Sequence, residues 1–97
     1  MTEIENPFDD VVDIEITDSF DLHSFQPSEI KLATEAYLAE AQAKNFGQVR
    51  IIHGKGIGVQ REIVRKVLEQ SDFVQSFKTA DEFSGSWGAT IVKLKLN

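Results

Sequence analysis

Cysteine is absent from the 97 residues of this chain. Without a thiol there is no disulfide scaffold, no thiolate zinc site and no cysteine nucleophile, and the absence suits a reducing compartment. No apolar run approaches the about 20 residues that a membrane helix needs. The first nine residues contain no base, so they cannot be the basic start of a signal peptide. These absences lead us to expect a cytoplasmic protein with no membrane partner. What remains is ordinary for one globular domain: 41% hydrophobic and 27% charged residues, in a length with no room for a second core.

Base is also missing locally. The formal net charge is −6, which taken whole opposes a phosphate-binding role. Yet residues 1–21 hold eight of the 16 acids and no Lys or Arg, whereas residues 22–97 hold the other eight acids and all ten bases, a net +2. The acidity therefore belongs to a leader. A tail or linker over residues 1–18 followed by a domain over 19–97 is one reading of it. Two others stand. The run Val11-Val12-Asp13-Ile14-Glu15-Ile16 has the partial alternation of an edge strand, and the leader can also be read as an internal nucleic-acid mimic lying in a basic groove.

Past the leader, Phe20-Asp21-Leu22-His23 alternates like a short strand, with Asp21 and His23 on one face. Pro27 suits a first helical position and Glu29 the first turn. Ile30, Ala33, Tyr37, Leu38 and Ala41 repeat at helical spacing, and Gly47 is expected to cap the end. Val49 to His53 is a β-branched strand, followed by Gly54-Lys55-Gly56-Ile57-Gly58. A second helix is expected from Val59 to Gln70, with Val59, Ile63, Val64, Val67 and Leu68 as its buried stripe. Phe73 to Lys78 and Ala89 to Leu96 read as two further strands. In the last, Thr90, Val92, Leu94 and Leu96 share a face, and Lys93 and Lys95 read as solvated edge charges. The order β-α-β-α-β-β predicts an α/β two-layer sandwich, with two helices on a small mixed sheet.

That topology gathers three segments. A right-handed βαβ unit makes the first two strands parallel, so Asp21 and His23 share a sheet edge with His53 and its glycine loop. An antiparallel last strand would bring Gly85-Ser86-Trp87-Gly88-Ala89-Thr90 to the same crevice, where open α/β sheets bind ligands. Imidazoles suit proton transfer at neutral pH, and Asp21 is placed to orient His23 or share a metal with it. The bland reading makes each histidine a turn residue that satisfies a carbonyl. Gly54, Gly56 and Gly58 can turn backbone N–H groups toward an anion in front of a helix N-terminus, with charge from Lys55 and Arg61. The spacing is neither G-x-G-x-x-G nor a Walker A loop, and a tight βα turn explains it equally well. Trp87 reads as a partly buried lid or as a base-stacking platform.

Asp21-Leu22-His23, His53-Gly54-Lys55-Gly56 and the Gly85-to-Thr90 segment resemble, in order and in place, the motifs of the small MutS-related (Smr) domain. The likeness covers about residues 19–96. It implies a four-stranded mixed sheet with two helices, like the C-terminal domain of a bacterial translation initiation factor. It further implies DNA or RNA binding and, as in several relatives, nicking or structure-selective endonuclease activity. Asp21 and His23 match the pair implicated in cleavage; His53, Gly54 and Gly56 match the middle loop; Gly85 and Gly88 match the late turn. Ser24 and Ser86 stand where the family has glycine, and Phe20 where it has leucine.

The resulting expectation is a phosphodiester endonuclease. Gly54, Lys55, Gly56, Gly58, Arg61, Gly85, Trp87, Gly88 and Thr90 would face the nucleic-acid backbone. His23, oriented by Asp21, would act as general base, and His53 as general acid. No cofactor is demanded, and a divalent Mg²⁺ or Mn²⁺ on Asp21 is admissible, although one carboxylate makes a poor dedicated site. The alternatives are a non-catalytic nucleic-acid-binding module, terminal in a larger chain, and a protein-interaction domain.

Overall fold

The computed structural model describes residues 18–54, 58–80 and 88–96. The acidic leader up to residue 17, together with Lys55, Gly56, Ile57, Gly85, Ser86 and Trp87, lies outside the described residues. Strands β1 (Ser19–Asp21), β2 (Gln48–Ile52), β3 (Val74–Thr79) and β4 (Ala89–Leu94) form one sheet in the order β1-β2-β4-β3. Helices α1 (Pro27–Ala43) and α2 (Val59–Gln70) supply the second layer. The expected α/β two-layer sandwich is thus the observed fold, with β1 parallel to β2 and β4 antiparallel to both β2 and β3.

Helix α1 starts where its sequence invites it. Pro27 occupies the first turn and lacks only an N–H that the helix would leave unpaired. The Glu29 carboxylate accepts the Gln26 N–H at 2.9 Å, which satisfies one of the orphan donors of the helix start. Ile30, Tyr37, Leu38 and Ala41 are buried as the periodicity predicts, together with Thr34. The end differs from expectation. Helix α1 ends at Ala43 with Lys44 as its cap, and Asn45, with φ 60°, takes the left-handed position assigned to Gly47. Asparagine tolerates that region because its short amide bonds locally. Gly47 instead lies in the lead-in to β2, where its carbonyl accepts the Leu94 N–H.

The core lies between the layers. Leu22, Ile51, Val92 and Leu38 are fully enclosed, and Val64, Val67 and Leu68 come down from α2. Two positions expected to be buried, one in α2 and one after β4, need correction. Val59 is 45% exposed because it is the first helical residue, beyond the sheet it was expected to cover. Leu96 is 64% exposed because β4 ends at Leu94.

Strand β4 is interior, so Lys93 and Lys95 are not edge charges. Among the described residues the edges are β1, which is three residues long, and β3, whose pairing slips between Val74 and Ser76. Short and bulged edges resist strand addition, and β3 also carries the exposed Lys78.

The end of α1 provides a direct check. Gly47→Ala should leave stability unchanged or raise it by up to about 1 kcal/mol, since no atom lies within 4 Å of the added Cβ and the backbone is not left-handed. Asn45→Val should cost about 1–2 kcal/mol, because a β-branched residue is forced into φ 60°. Urea unfolding of the two variants measures both.

Candidate nucleic-acid interface

Three strand ends meet at one edge of the sheet. Asp21 pairs with Ile52 at the ends of β1 and β2, and Ile52 pairs with Ala89 at the start of β4. The chain then leaves β2 through His53 and Gly54. Both of their backbone N–H groups donate to the Gly88 carbonyl, each at 2.9 Å. The convergence expected from topology is present for every segment within the described residues.

The two histidines divide into one outside and one inside. His23 lies just past β1, and its side chain is 58% exposed. Its Nδ1 is 2.5 Å from Asp21 Oδ1, and the same oxygen accepts the His23 backbone N–H at 3.1 Å. A carboxylate on Nδ1 orients the ring and selects the tautomer, which leaves Nε2 outside that bond. The ring and backbone hydrogen bonds from His23 hold the Asp21 carboxyl below its ordinary 3.8.

His53 is fully buried. Its Nδ1 lies 3.0 Å from the Gly54 carbonyl, which can only accept, so Nδ1 carries the proton. Its Nε2 lies 2.9 Å from Thr90 Oγ1 and therefore accepts the threonine hydroxyl. Burial pushes the ring below its ordinary 6.5, against the Gly54 bond, and the charges of Arg61 and Arg65 push it further down. The expectation of a general acid meets a neutral, enclosed ring with both nitrogens engaged. Thr90 is likewise fully buried and directed at His53, so its hydroxyl does not face the crevice. Here the bland reading of a histidine satisfying a carbonyl describes the geometry.

The glycines have separate tasks. Gly54 has φ 84°, and a Cβ on it would lie 3.1 Å from the His23 Cβ, so the turn both needs glycine and lets the loop touch the histidine. Gly58 precedes α2 with φ 91°, and its carbonyl accepts the Glu62 N–H. Arg61 folds back over it, with Nη2 3.9 Å from where a Gly58 Cβ would stand. The Arg61 guanidinium thus lies beside the turn that starts α2. Arg65 is spent on structure, donating to Thr79 Oγ1 at 2.7 Å and lying over the Phe77 ring.

Gln60 was missed by the sequence reading. Its Nε2 donates to the carbonyls of His23 at 3.0 Å and Phe25 at 2.8 Å, pinning the turn after β1 onto α2. No local pattern signals this, because the partners are 35 and 37 residues away. The same turn closes with Phe25 N–H on the Leu22 carbonyl. Among the described residues only Asn45 has positive φ outside glycine, so Ser24 fits its turn without strain.

A four-stranded mixed sheet layered with two helices, with a carboxylate-held imidazole at the carboxyl ends of its two parallel strands, defines the class of α/β sandwich domain. Within that class the assignment is specific: a family model for the Smr domain matches residues 20–95, and the chain belongs to that family. It is similar to Endonuclease MutS2 of Clostridium acetobutylicum, with 35% identity over 82% of this chain and 10% of that protein. Endonuclease MutS2 of Bacillus cytotoxicus is 36% identical over 86% of this chain and 11% of the relative. The chain therefore spans about a tenth of the length of the curated relatives it matches. Among solved structures, the Smr domain of Thermus thermophilus MutS2 superposes with a TM-score of 0.76 and 34% identity, covering 79% of this chain and 96% of that one. YdaL, a stand-alone small MutS-related protein from Escherichia coli, gives 0.75 and 30%, covering 79% and 63%.

The buried histidine makes stability depend on pH with a definite sign. The unfolded chain takes up a proton near the ordinary 6.5, while the folded ring resists it. Its contribution is full above that value and is lost as pH falls through the lower folded value. Thermal melts between about pH 7 and pH 5 should show the decline, and His53→Gln should be less stable throughout but flatter across this window. Asp21 cannot mimic the effect, since its own contribution is lost only below 3.8. A second variant, Gly54→Ala, should displace the His23 turn, visible as shifted His23 and Phe25 amide resonances.

Proposed function

We propose that this Smr domain binds the phosphate backbone of nucleic acid at the crevice and nicks it, with His23 as the proton-transfer residue. The observation that carries the reading is the exposed Asp21–His23 pair held against Gly54. A neutral His23 takes the proton of a water molecule or a ribose 2′-hydroxyl through Nε2. The oxygen so freed forms a bond to phosphorus, the bond to the leaving oxygen breaks, and solvent protonates that oxygen. Asp21 stabilises the imidazolium that results. His53 acts as a positioning residue, holding Gly54 and Thr90 together beneath the site. The Gly54 turn and Arg61, with Lys55, Gly56, Gly85, Trp87 and Gly88 from outside the described residues, supply the anion-facing surroundings.

Support from the comparisons is the name endonuclease carried by the MutS2 relatives. For a metal the donor set is poor. Among the described residues no group of three His, Asp or Glu side chains comes together, and the Asp21 Oδ1 is already engaged by His23. No step is therefore assigned to Mg²⁺ or Mn²⁺. Among the described residues no helix is long and apolar enough to cross a membrane, and a cytoplasmic location belongs to the same proposal.

Nicking of supercoiled plasmid and cleavage of structured RNA, with and without EDTA, test the reading. His23→Ala should lower the rate about 10²–10⁴-fold, the range for loss of a positioned general base. Asp21→Asn should fall in the same direction, with binding kept. Cleavage that survives unchanged in His23→Ala would refute the nuclease assignment.

The small share of the longer relatives that this chain spans favours a second reading, a non-catalytic binding module of a larger protein. Binding without cleavage, with affinity that falls steeply with salt, is its signature. A flat salt response points instead to a protein partner.

A further inference from the structure

Three elements converge on His23. From β1, Asp21 Oδ1 accepts its backbone N–H at 3.1 Å. From the turn after β2, Gly54 closes on its Cβ, which lies 3.1 Å from where a glycine Cβ would stand. From the first turn of α2, Gln60 Nε2 donates to its carbonyl at 3.0 Å. This last bond holds the chain just past the histidine, beside the exposed Ser24. The same nitrogen donates to the Phe25 carbonyl at 2.8 Å. Carbonyls only accept, so the amide must turn its nitrogen to both, and its two N–H groups match the two oxygens. One such bond fixes one peptide; two, on peptides two residues apart, fix the tilt of the turn. The second of those peptides leads into Gln26, the N-cap of α1. Gln60 Oε1 lies 3.9 Å from the same Gly54 Cβ position, so the half-buried amide closes the space between turn and loop.

We propose that Gln60 is a positioning residue for His23, holding its imidazole on Asp21 in a single tautomer. The proposal rests on the reading of His23 as the proton-transfer residue. Without the amide, the Phe25 N–H still reaches the Leu22 carbonyl and closes the turn. That bond lies within the turn and does not tie it to α2. The turn is then free to tilt from Gly54, and the ring is no longer kept on the carboxylate in one tautomer. Proton transfer is steeply sensitive to such placement, since a displacement of about 1 Å costs roughly 10²-fold in rate. Gln60 touches no reacting atom, because both of its amide hydrogens are directed to carbonyls of the protein. Its loss therefore lowers turnover and spares affinity for the phosphate backbone, whereas a purely structural Gln60 would lower stability and leave turnover of the folded protein unchanged.

Gln60→Met keeps the length of the side chain and removes both donors. In nicking of supercoiled plasmid by the full chain it should lower kcat about 10–100-fold and leave KM within about twofold. Gln60→Lys, which again offers N–H donors to the two carbonyls, should recover most of kcat. Long-range ¹H–¹⁵N spectra at about pH 9, above the ordinary imidazole value, read the rings directly. His23 of the wild type should carry its proton on Nδ1, and Gln60→Met should show a mixture with Nε2. The His53 signals should stay as they are and verify the fold; if the methionine variant does not fold, Gln60→Asn, one methylene short of the carbonyls, is read in the same way. A wild-type kcat in Gln60→Met beside an inactive His23→Ala would overturn the proposal and leave the nuclease reading standing. An unaltered His23 tautomer would overturn it as well. Plasmid left intact by the wild type would refute the nuclease reading instead, and the tautomer spectra then decide the positioning role by themselves.

Discussion

A single buried imidazole holds the crevice together. His53 donates to the Gly54 carbonyl and accepts from Thr90, so one ring joins the turn after β2 to the first residues of β4. The N–H groups of His53 and Gly54 reach the Gly88 carbonyl and complete the link. The Gly54 carbonyl and the Thr90 hydroxyl are polar groups that would be costly to bury unpaired, and the ring satisfies both in its neutral state. Because Gly54 is fixed from beneath, its left-handed turn can press against the His23 Cβ. The exposed histidine is therefore seated on an interior one.

Two histidines of one type acquire opposite chemistry through environment alone. Exposure and a carboxylate on Nδ1 hold the His23 ring at the surface with Nε2 outside that bond. Enclosure and two neighbouring arginines disfavour the charged form of His53. The division is economical for a domain this small, since a buried scaffold and an exposed imidazole are built from adjoining segments. Helix α2 completes it at one end by placing Gln60 under the His23 turn and Arg61 over Gly58.

Charge is divided along the chain as well: residues 1–21 hold eight acids and no Lys or Arg, and residues 22–97 carry a net +2. A net charge of −6 therefore describes neither part of the chain.

The sequence alone determined the element order, the helix over 59–70, the parallel pairing of the first two strands and the meeting of the Asp21, His53 and Gly88 segments. Those depend on periodicity and on the handedness of a βαβ crossover, both of which are local or nearly so. Tertiary structure decided which histidine faces water, what Thr90 and Gln60 bond to, and that β4 lies inside the sheet. It also decided that Asn45 rather than Gly47 ends the first helix. Burial and pairing across more than 30 residues depend on what the rest of the chain places opposite a side chain, and no spacing within a motif records that.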